Sequence, residues 1–370
     1  MRALVSHPPT GGAELREVAT PPLPPGGVRV RVAEVGVCGT DQEIVAGRYG
    51  RVPDGADHLV LGHENLGTVV ERAAGVQELT PGDLVVATVR RGCGACRFCA
   101  ANRSDFCETG RYTERGIWRA DGYLAEEYVE TPAYLVKVPP SIRGTAVLVE
   151  PLSVVEKATE QGFGVLARMN APSAAPAASP PAALVAGTGA IGMLASLVLR
   201  VRGWRVTAID RHPSGTPAAG VLGAIGARHV DASAGSQALG SDRFELIVEA
   251  TGSANLDVSL LDLLGPNGTL VLTGIPDPSA APSVAMGARL RGLVLENQAV
   301  VGSVNANRTH FAAAVADLGR FEALWPGVTS RLIGERRPWE EFGDVFARRT
   351  PGLVKSVLVV GAAGDPPSLR

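Results

Sequence analysis

The residues of this chain best suited to chemistry are its five cysteines, Cys38, Cys93, Cys96, Cys99 and Cys107. The last four follow the pattern Cys-x2-Cys-x2-Cys-x7-Cys, which offers four thiolates at spacings a loop can bring together. Four soft thiolates suit zinc in a closed tetrahedron, and a closed shell leaves no position for a substrate, so the expected role is structural. An iron–sulfur cluster takes the same donors. A nucleic-acid-binding zinc ribbon would draw on Arg90, Arg91, Arg97 and Arg103, but Asp105, Glu108 and Glu114 offset them and no basic face emerges. An odd cysteine count in a long chain does not suggest a disulfide scaffold. Cys38 stands apart, in Val37-Cys38-Gly39-Thr40-Asp41, and His63-Glu64 lies in Gly62-His63-Glu64-Asn65. A lone cysteine or histidine of this kind is ordinarily structural. The HExxH metalloprotease pattern is excluded, because Gly67 stands where the second histidine would be.

A second chemical signal is Gly187-Thr188-Gly189-Ala190-Ile191-Gly192. It follows the apolar stretch Ala183–Ala186 and opens an apolar helix over 191–202, and Asp210 lies eighteen residues past Gly192 at the end of the next strand. That context is what a dinucleotide fingerprint requires. Gly187 permits the tight turn, Gly189 lets backbone approach a pyrophosphate, and Gly192 lets the helix pack on the strand. The free N–H groups of the helix N-terminus then face the phosphates. Asp210 suits the ribose hydroxyls of NAD, while Arg211 and His212 could hold a 2′-phosphate, so NAD is expected to be preferred and NADP accepted.

These residues must be positioned by more than one core, since 370 residues at 45% hydrophobic exceed one ordinary domain. Residues 1–155 read as mainly β: Val28-Arg29-Val30-Arg31-Val32 alternates with period two, and 66–70 and 84–87 continue the pattern around the turn Thr80-Pro81-Gly82-Asp83. A cysteine lobe is inserted at 90–115, and 152–162 suits a helix. From 183 onward strands (183–186, 205–209, 246–249, 269–272) alternate with helices, which indicates a parallel sheet with crossovers. The last stretch, from about 306, returns to helix plus a strand at 356–360. The tract 171–182, APSAAPAASPPA, is low in complexity and is expected to be a surface loop. The uncharged run that follows it, broken by three glycines, reads as strand, turn and buried helix rather than as a membrane span.

CGTD, GHE, the four-cysteine lobe and GTGAIG, in that order and at those separations, resemble the zinc-dependent medium-chain dehydrogenase/reductase superfamily. RRGCGACRFC, DFCETG, Glu114, Glu150-Pro151-Leu152 with Glu156-Lys157, and Val301-Gly302-Ser303-Val304-Asn305 with His310-Phe311 look like glucose 1-dehydrogenases of the archaeal type. The resemblance implies an α/β protein, with a GroES-like catalytic domain at 1–155 and 307–370 and a Rossmann domain, a doubly wound parallel sheet, at 156–306. It implies two zinc ions per subunit. One would be catalytic, on Cys38, His63 and Glu64, with Glu150 approaching the metal or the substrate. The other would be structural, on the four-cysteine lobe. Thr40 would bind the reacting hydroxyl and pass its proton outward, and Glu114, Glu150 and Asn305 would bind further hydroxyls. Thr251, Leu272, Thr273, Gly274, Val301, Gly302, Ser303 and Asn305 would line the cofactor. Val89 and Val154 depart from the resemblance, standing where some sugar-active members carry polar side chains.

The function these readings imply is NAD(P)-dependent oxidation of the C1 hydroxyl of an aldose, glucose foremost, to its lactone. A polyol or secondary-alcohol dehydrogenase is the nearest alternative, and a non-catalytic dinucleotide-binding protein the alternative of another class. Net charge of −2 gives no general attraction to nucleic acid or anionic membranes, and no apolar signal segment opens the chain, so a cytoplasmic location is expected. Family resemblance further implies a homo-tetramer or homo-dimer.

Overall fold

Valines alternate with arginines from Val28 to Val32, and the strand they begin, Val28–Val37, buries its valines and turns Arg31 outward. It forms the spine of a seven-stranded sheet, with Glu64–Arg72 on one side and Lys355–Val359 on the other. Leu84–Ala87 and Leu135–Lys137 extend the first side, Ile333–Pro338 extends the second, and Glu127–Glu130 also pairs with the spine. A C-terminal strand therefore sits beside an N-terminal one, and Ser356 pairs with Val37. The structure, a computed structural model, describes residues 1–169, 179–211, 215–233, 236–347, 352 and 354–361.

The second large sheet is wholly parallel. Its order is Arg228–Asp231, Arg205–Asp210, Ala182–Ala186, Phe244–Glu249, Leu264–Leu272, Ala299–Gly302. In order of appearance this is 3-2-1-4-5-6, the doubly wound arrangement, whose switch point lies between Ala182–Ala186 and Phe244–Glu249. Central strands buried on both faces need continuous apolar runs, and Ala182–Ala186 is buried at all five positions. Helix Ala190–Val201 follows it directly. The uncharged run is thus strand, turn and helix, and no helix among the described residues is long and apolar enough to cross a membrane.

Several element boundaries differ from the sequence reading. The helix expected over 152–162 runs from Val149 to Met169. Gly162 does not stop it: a Cβ there would lie 3.0 Å from Leu246 and Val271 side chains, so this glycine lets the helix lie close on the parallel sheet. Of the 171–182 tract, residues 171–178 lie outside the described residues, and Ala182 belongs to the first parallel strand, where its N–H donates to Glu245 Oε2. His212 also lies outside the described residues.

Candidate active site and metal centres

Strand register builds the first site. Gly36 pairs with Glu64 across one side of the spine, and Val37 with Ser356 across the other. The end of one strand and the starts of its two neighbours therefore bring together Cys38, His63, Glu64 and Lys355. Gly36 is required here, because a Cβ on it would meet Glu64 Oε2 at 2.0 Å. Cys38 caps the helix Gly39–Val45: Thr40 N–H donates to its Sγ at 3.2 Å, and its own N–H donates to Asp41 Oδ2 at 3.0 Å. Cys38 Sγ lies 3.1 Å from His63 Nε2, and single ligand atoms of Cys38, His63 and Glu64 all lie within 4.8 Å of one another.

Ionisable groups crowd this pocket. Cys38, Asp41, Glu64 and Glu150 face one lysine, Lys355, whose Nζ lies 2.6 Å from Glu64 Oε1. Burial alone would lower the pKa of His63, but the Cys38 and Asp41 charges outweigh it and hold the imidazole well above its ordinary value. Burial pushes Glu150 up to about 7, with Glu64 adding to the rise and His63 opposing it. His63 Nδ1 faces Asp41 Oδ1 at 3.4 Å, and among the described residues neither atom has a hydrogen-bond partner, nor does Glu64 Oε2. Sulfur, imidazole and carboxylate donors converging in one buried pocket fit a divalent zinc ion, with Asp41 behind the histidine as the outer carboxylate such ligands require.

The cysteine lobe forms the second centre. Cys93, Cys96, Cys99 and Cys107 place their sulfurs within 4.8 Å of one another, and Cys93 and Cys99 are 3.9 Å apart. A tetrahedron with zinc–sulfur bonds of about 2.3 Å has edges of about 3.8 Å, so the cage already has the size of a closed zinc site. The arginines of the lobe are engaged locally: Arg91 and Arg115 with Glu130, Arg97 with Glu108, and Arg90 with Glu114.

The cofactor cleft lies at the switch point of the parallel sheet. Gly187 turns with φ of +101°, and a Cβ on Gly192 would lie 1.9 Å from Gly187 O, so helix and turn meet only through glycine. Gly189 is the N-cap and Ala190 and Ile191 open the helix. Asp210 Oδ2 accepts both the N–H and the hydroxyl of Thr188 at 2.7 Å, which ties the fingerprint loop to the end of the next strand. Arg211 is exposed just beyond it. Across the switch point Leu272 pairs with Gly302, Val271 with Val301, and Ser303 N–H donates to Leu272 O. Ser303 Oγ is buried and has no hydrogen-bond partner among the described residues.

The residues expected on the substrate side also meet. Asn305 Nδ2 donates to Glu114 Oε1 at 2.7 Å although 191 positions separate them. Thr40 is half-buried on the first turn of the helix that Cys38 caps, and Glu150 opens helix Val149–Met169 beside the Cys38 pocket. Three residues had no role assigned from sequence. Asp41 was visible as a carboxylate three positions after Cys38, the spacing of a capping box. Lys355 was visible only as a lysine opening an apolar strand. Glu249, ending the apolar strand Phe244–Glu249, is fully buried. It accepts the Thr251 hydroxyl at 2.5 Å, the Gly252 N–H at 2.9 Å and the Gly274 N–H at 3.2 Å, clasping the loops that carry Thr251, Thr273 and Gly274.

Comparison with known proteins points the same way. Residues 24–140 match the alcohol dehydrogenase GroES-like domain, and residues 144–360 match the family described as glucose dehydrogenase C-terminus. The chain is 42% identical to glucose 1-dehydrogenase of Thermoproteus tenax over 347 residues, covering 94% of this chain and 95% of the relative. It is 39% identical to glucose 1-dehydrogenase of Metallosphaera sedula over 360 residues, covering 97% and 98%. The structure of Haloferax mediterranei glucose dehydrogenase in complex with NADP, zinc and gluconolactone is similar with a TM-score of 0.87 at 31% identity, covering 98% of this chain and 100% of that one.

Proposed function

The chain belongs to the glucose dehydrogenase family of zinc-dependent medium-chain dehydrogenases, and on that premise we propose that it oxidises C1 of an aldose, glucose foremost, to the lactone with NAD or NADP. The observation that carries this is the apposition of Cys38 Sγ and His63 Nε2 at 3.1 Å with Glu64 beside them, in a chain whose parallel sheet bears the dinucleotide turn. Residues 1–155 and 307–370 are assigned as the catalytic domain and 156–306 as the nucleotide-binding domain. Strand membership supports this division, since the six parallel strands all fall between 182 and 302.

Cys38, His63 and Glu64 would hold the catalytic zinc, with Glu150 close by, and the four cysteines of the lobe would hold the structural one. When bound, zinc supplies Lewis acidity toward the C1 oxygen and the nicotinamide supplies the hydride acceptor. The chain's own residues do the rest. Asp41 fixes the orientation of His63. Lys355 holds Oε1 of Glu64 and so fixes its carboxylate. The Thr40 hydroxyl takes the proton of the C1 hydroxyl and hands it outward, with Glu150, which opens its helix beside the Cys38 pocket, as a further carboxyl for the relay. Glu114 and Asn305 bind the sugar's other hydroxyls. The amides of 187–192 face the pyrophosphate, and Thr251, Leu272, Thr273, Gly274, Val301, Gly302, Ser303 and Asn305 line the rest of the cofactor. With a nicotinamide bound to accept the C1 hydride, the hydroxyl proton would leave through Thr40 and the lactone would remain.

Asp210 favours NAD, and Arg211 admits a 2′-phosphate, so both cofactors are expected to serve. The enzyme is expected in the cytoplasm as a homo-dimer or homo-tetramer. The apolar, solvent-facing helix Met286–Leu295 and the edge strand Ala299–Gly302 support association of copies. The decisive assay follows reduced-cofactor absorbance across aldoses, alditols and secondary alcohols with NAD and NADP. Aldoses, led by glucose, should be fastest, and His63→Ala should abolish turnover while cofactor binding persists. Turnover of alditols in preference to aldoses would replace the substrate assignment, and an active His63→Ala enzyme would remove the metal site.

A further inference from the structure

Between the four-cysteine lobe and the pair Glu114 and Asn305 runs a buried polar chain that no step of the proposed reaction uses. At its centre is an ion pair. Asp105 lies in the short turn Ser104–Phe106, directly before Cys107, and Lys157 lies on helix Val149–Met169. Both are buried, and Lys157 Nζ sits 3.0 Å from Asp105 Oδ2. Among the described residues that oxygen accepts no hydrogen bond, so the lysine charge is what faces it. Lys157 Nζ also donates to Val304 O at 2.8 Å and lies 4.0 Å over the Phe106 ring.

The pair reaches the sugar side by two routes. Asp105 Oδ1 accepts from Asn307 Nδ2 at 3.0 Å, and Asp105 O accepts from Arg90 Nη1 at 3.0 Å. Arg90 in turn donates to Glu114 Oε1 through Nε at 3.0 Å and Nη2 at 2.8 Å, and Asn305 donates to the same oxygen. Val304, Asn305 and Asn307 are thus each tied down by a different polar side chain: Lys157, Glu114 and Asp105. Asn305 adopts a left-handed backbone with φ of +62°, a region open to asparagine, and its side chain is held there by the bond to Glu114. A buried ion pair is costly compared with apolar packing, and it is an inefficient way to gain stability alone. What it does supply is direction, fixing three elements at defined polar contacts.

We propose that Asp105 and Lys157 are positioning residues that carry the geometry of the four-cysteine lobe to Asn305 and Glu114, and so set the affinity for the sugar's hydroxyls. The lobe then serves substrate recognition as well as folding. This deepens the aldose reading above and rests on it.

The test uses purified, zinc-replete enzyme and the variant Asp105→Asn, which keeps shape and removes charge. Lys157→Met alone leaves a carboxylate buried without its partner and could fail to fold, so the double variant Asp105→Asn/Lys157→Met removes both charges together. The aldose KM should rise about tenfold in both variants while kcat stays within about twofold and the cofactor KM changes less than the aldose KM, the pattern of lost substrate binding without lost chemistry. Amide hydrogen exchange should speed up at 303–307 and stay unchanged at 187–192, and zinc content should stay at the parent value. Unchanged aldose KM with unchanged exchange at 303–307 overturns the proposal. So does a lower melting temperature and kcat together with a rise in both KM values and faster exchange throughout, which is the mark of a merely structural pair. A parent enzyme inactive on every aldose refutes the substrate reading by itself. The exchange comparison then still decides whether Asp105 holds 303–307, and no change there sinks the positioning role too.

Discussion

Asp41 has no contact with substrate in the proposed reaction, yet two ligands depend on it. Its Oδ2 accepts the Cys38 N–H, and its Oδ1 faces His63 Nδ1. A carboxylate behind a ligating histidine fixes ring orientation and raises basicity, and losing such a partner typically weakens metal binding about 10–100-fold. Asp41→Asn should therefore weaken zinc binding at the Cys38 centre by about that factor, measured by competition with a chromogenic chelator, while the four-cysteine centre keeps its ion. Equal loss from both centres would show that the substitution acts on folding. Cys38, His63 and Glu64 were proposed as ligands only through the family resemblance of CGTD and GHE, since residue type alone left a lone cysteine and histidine structural. Asp41 and Lys355 were not legible, since an aspartate after a cysteine and a lysine before a strand acquire meaning only from what faces them.

Helix Val149–Met169 does more than cross from one sheet to the other. It starts with Glu150 beside the metal pocket, carries Lys157 under the 304–307 segment, and presents Glu156 to Arg202 at 2.7 Å. Arg202 also donates to Asp317 at 2.9 Å, so one guanidinium ties this helix to the helix Arg308–Leu324. Burial first, and then the neighbouring Asp317, push Glu156 up to about 8, against the opposing charge of Arg202. Between about pH 4.5 and about pH 8 the folded chain therefore holds a proton that the unfolded chain has released. Stability from this group is complete below that window and is lost as pH rises through it, by at most about 1.4 kcal/mol per pH unit. Glu156→Gln should flatten the decline, read from denaturation midpoints at about pH 5 and about pH 9. A decline as steep as the parent's would place the linked proton elsewhere. The helix was legible only over its middle: Gly162 and Gly164 look like stop signals in a sequence, whereas packing against the sheet gives Gly162 a reason to sit mid-helix.

On the scale of the whole molecule, the helix Met286–Leu295 has no buried residue, and Leu290, Val294 and Leu295 are all exposed. Beside it Ala299–Gly302 is the last strand of the parallel sheet, with Val300 exposed. Exposed apolar side chains next to a strand edge that is unpaired among the described residues are where another chain can associate. In the proposed oligomer, Val294→Glu should shift sedimentation or light-scattering mass toward the monomer while cofactor binding is kept. An unchanged mass would move the interface off this face.

Residue types and spacing were enough to specify a thiolate cage, a dinucleotide turn and the alternation of strands, because each is local: ligand spacing, glycine placement and period-two or strand–helix patterning are written within a few tens of residues. Local signals of this kind do not reach across the chain. Glu64 meets Lys355 because of strand register, Glu114 meets Asn305 across 191 positions, and Asp105 meets Lys157 because a lobe folds back onto a helix. Those contacts come from packing two sheets and their connections together, so tertiary structure alone decided which charges are buried in pairs and which residues stand behind the ligands.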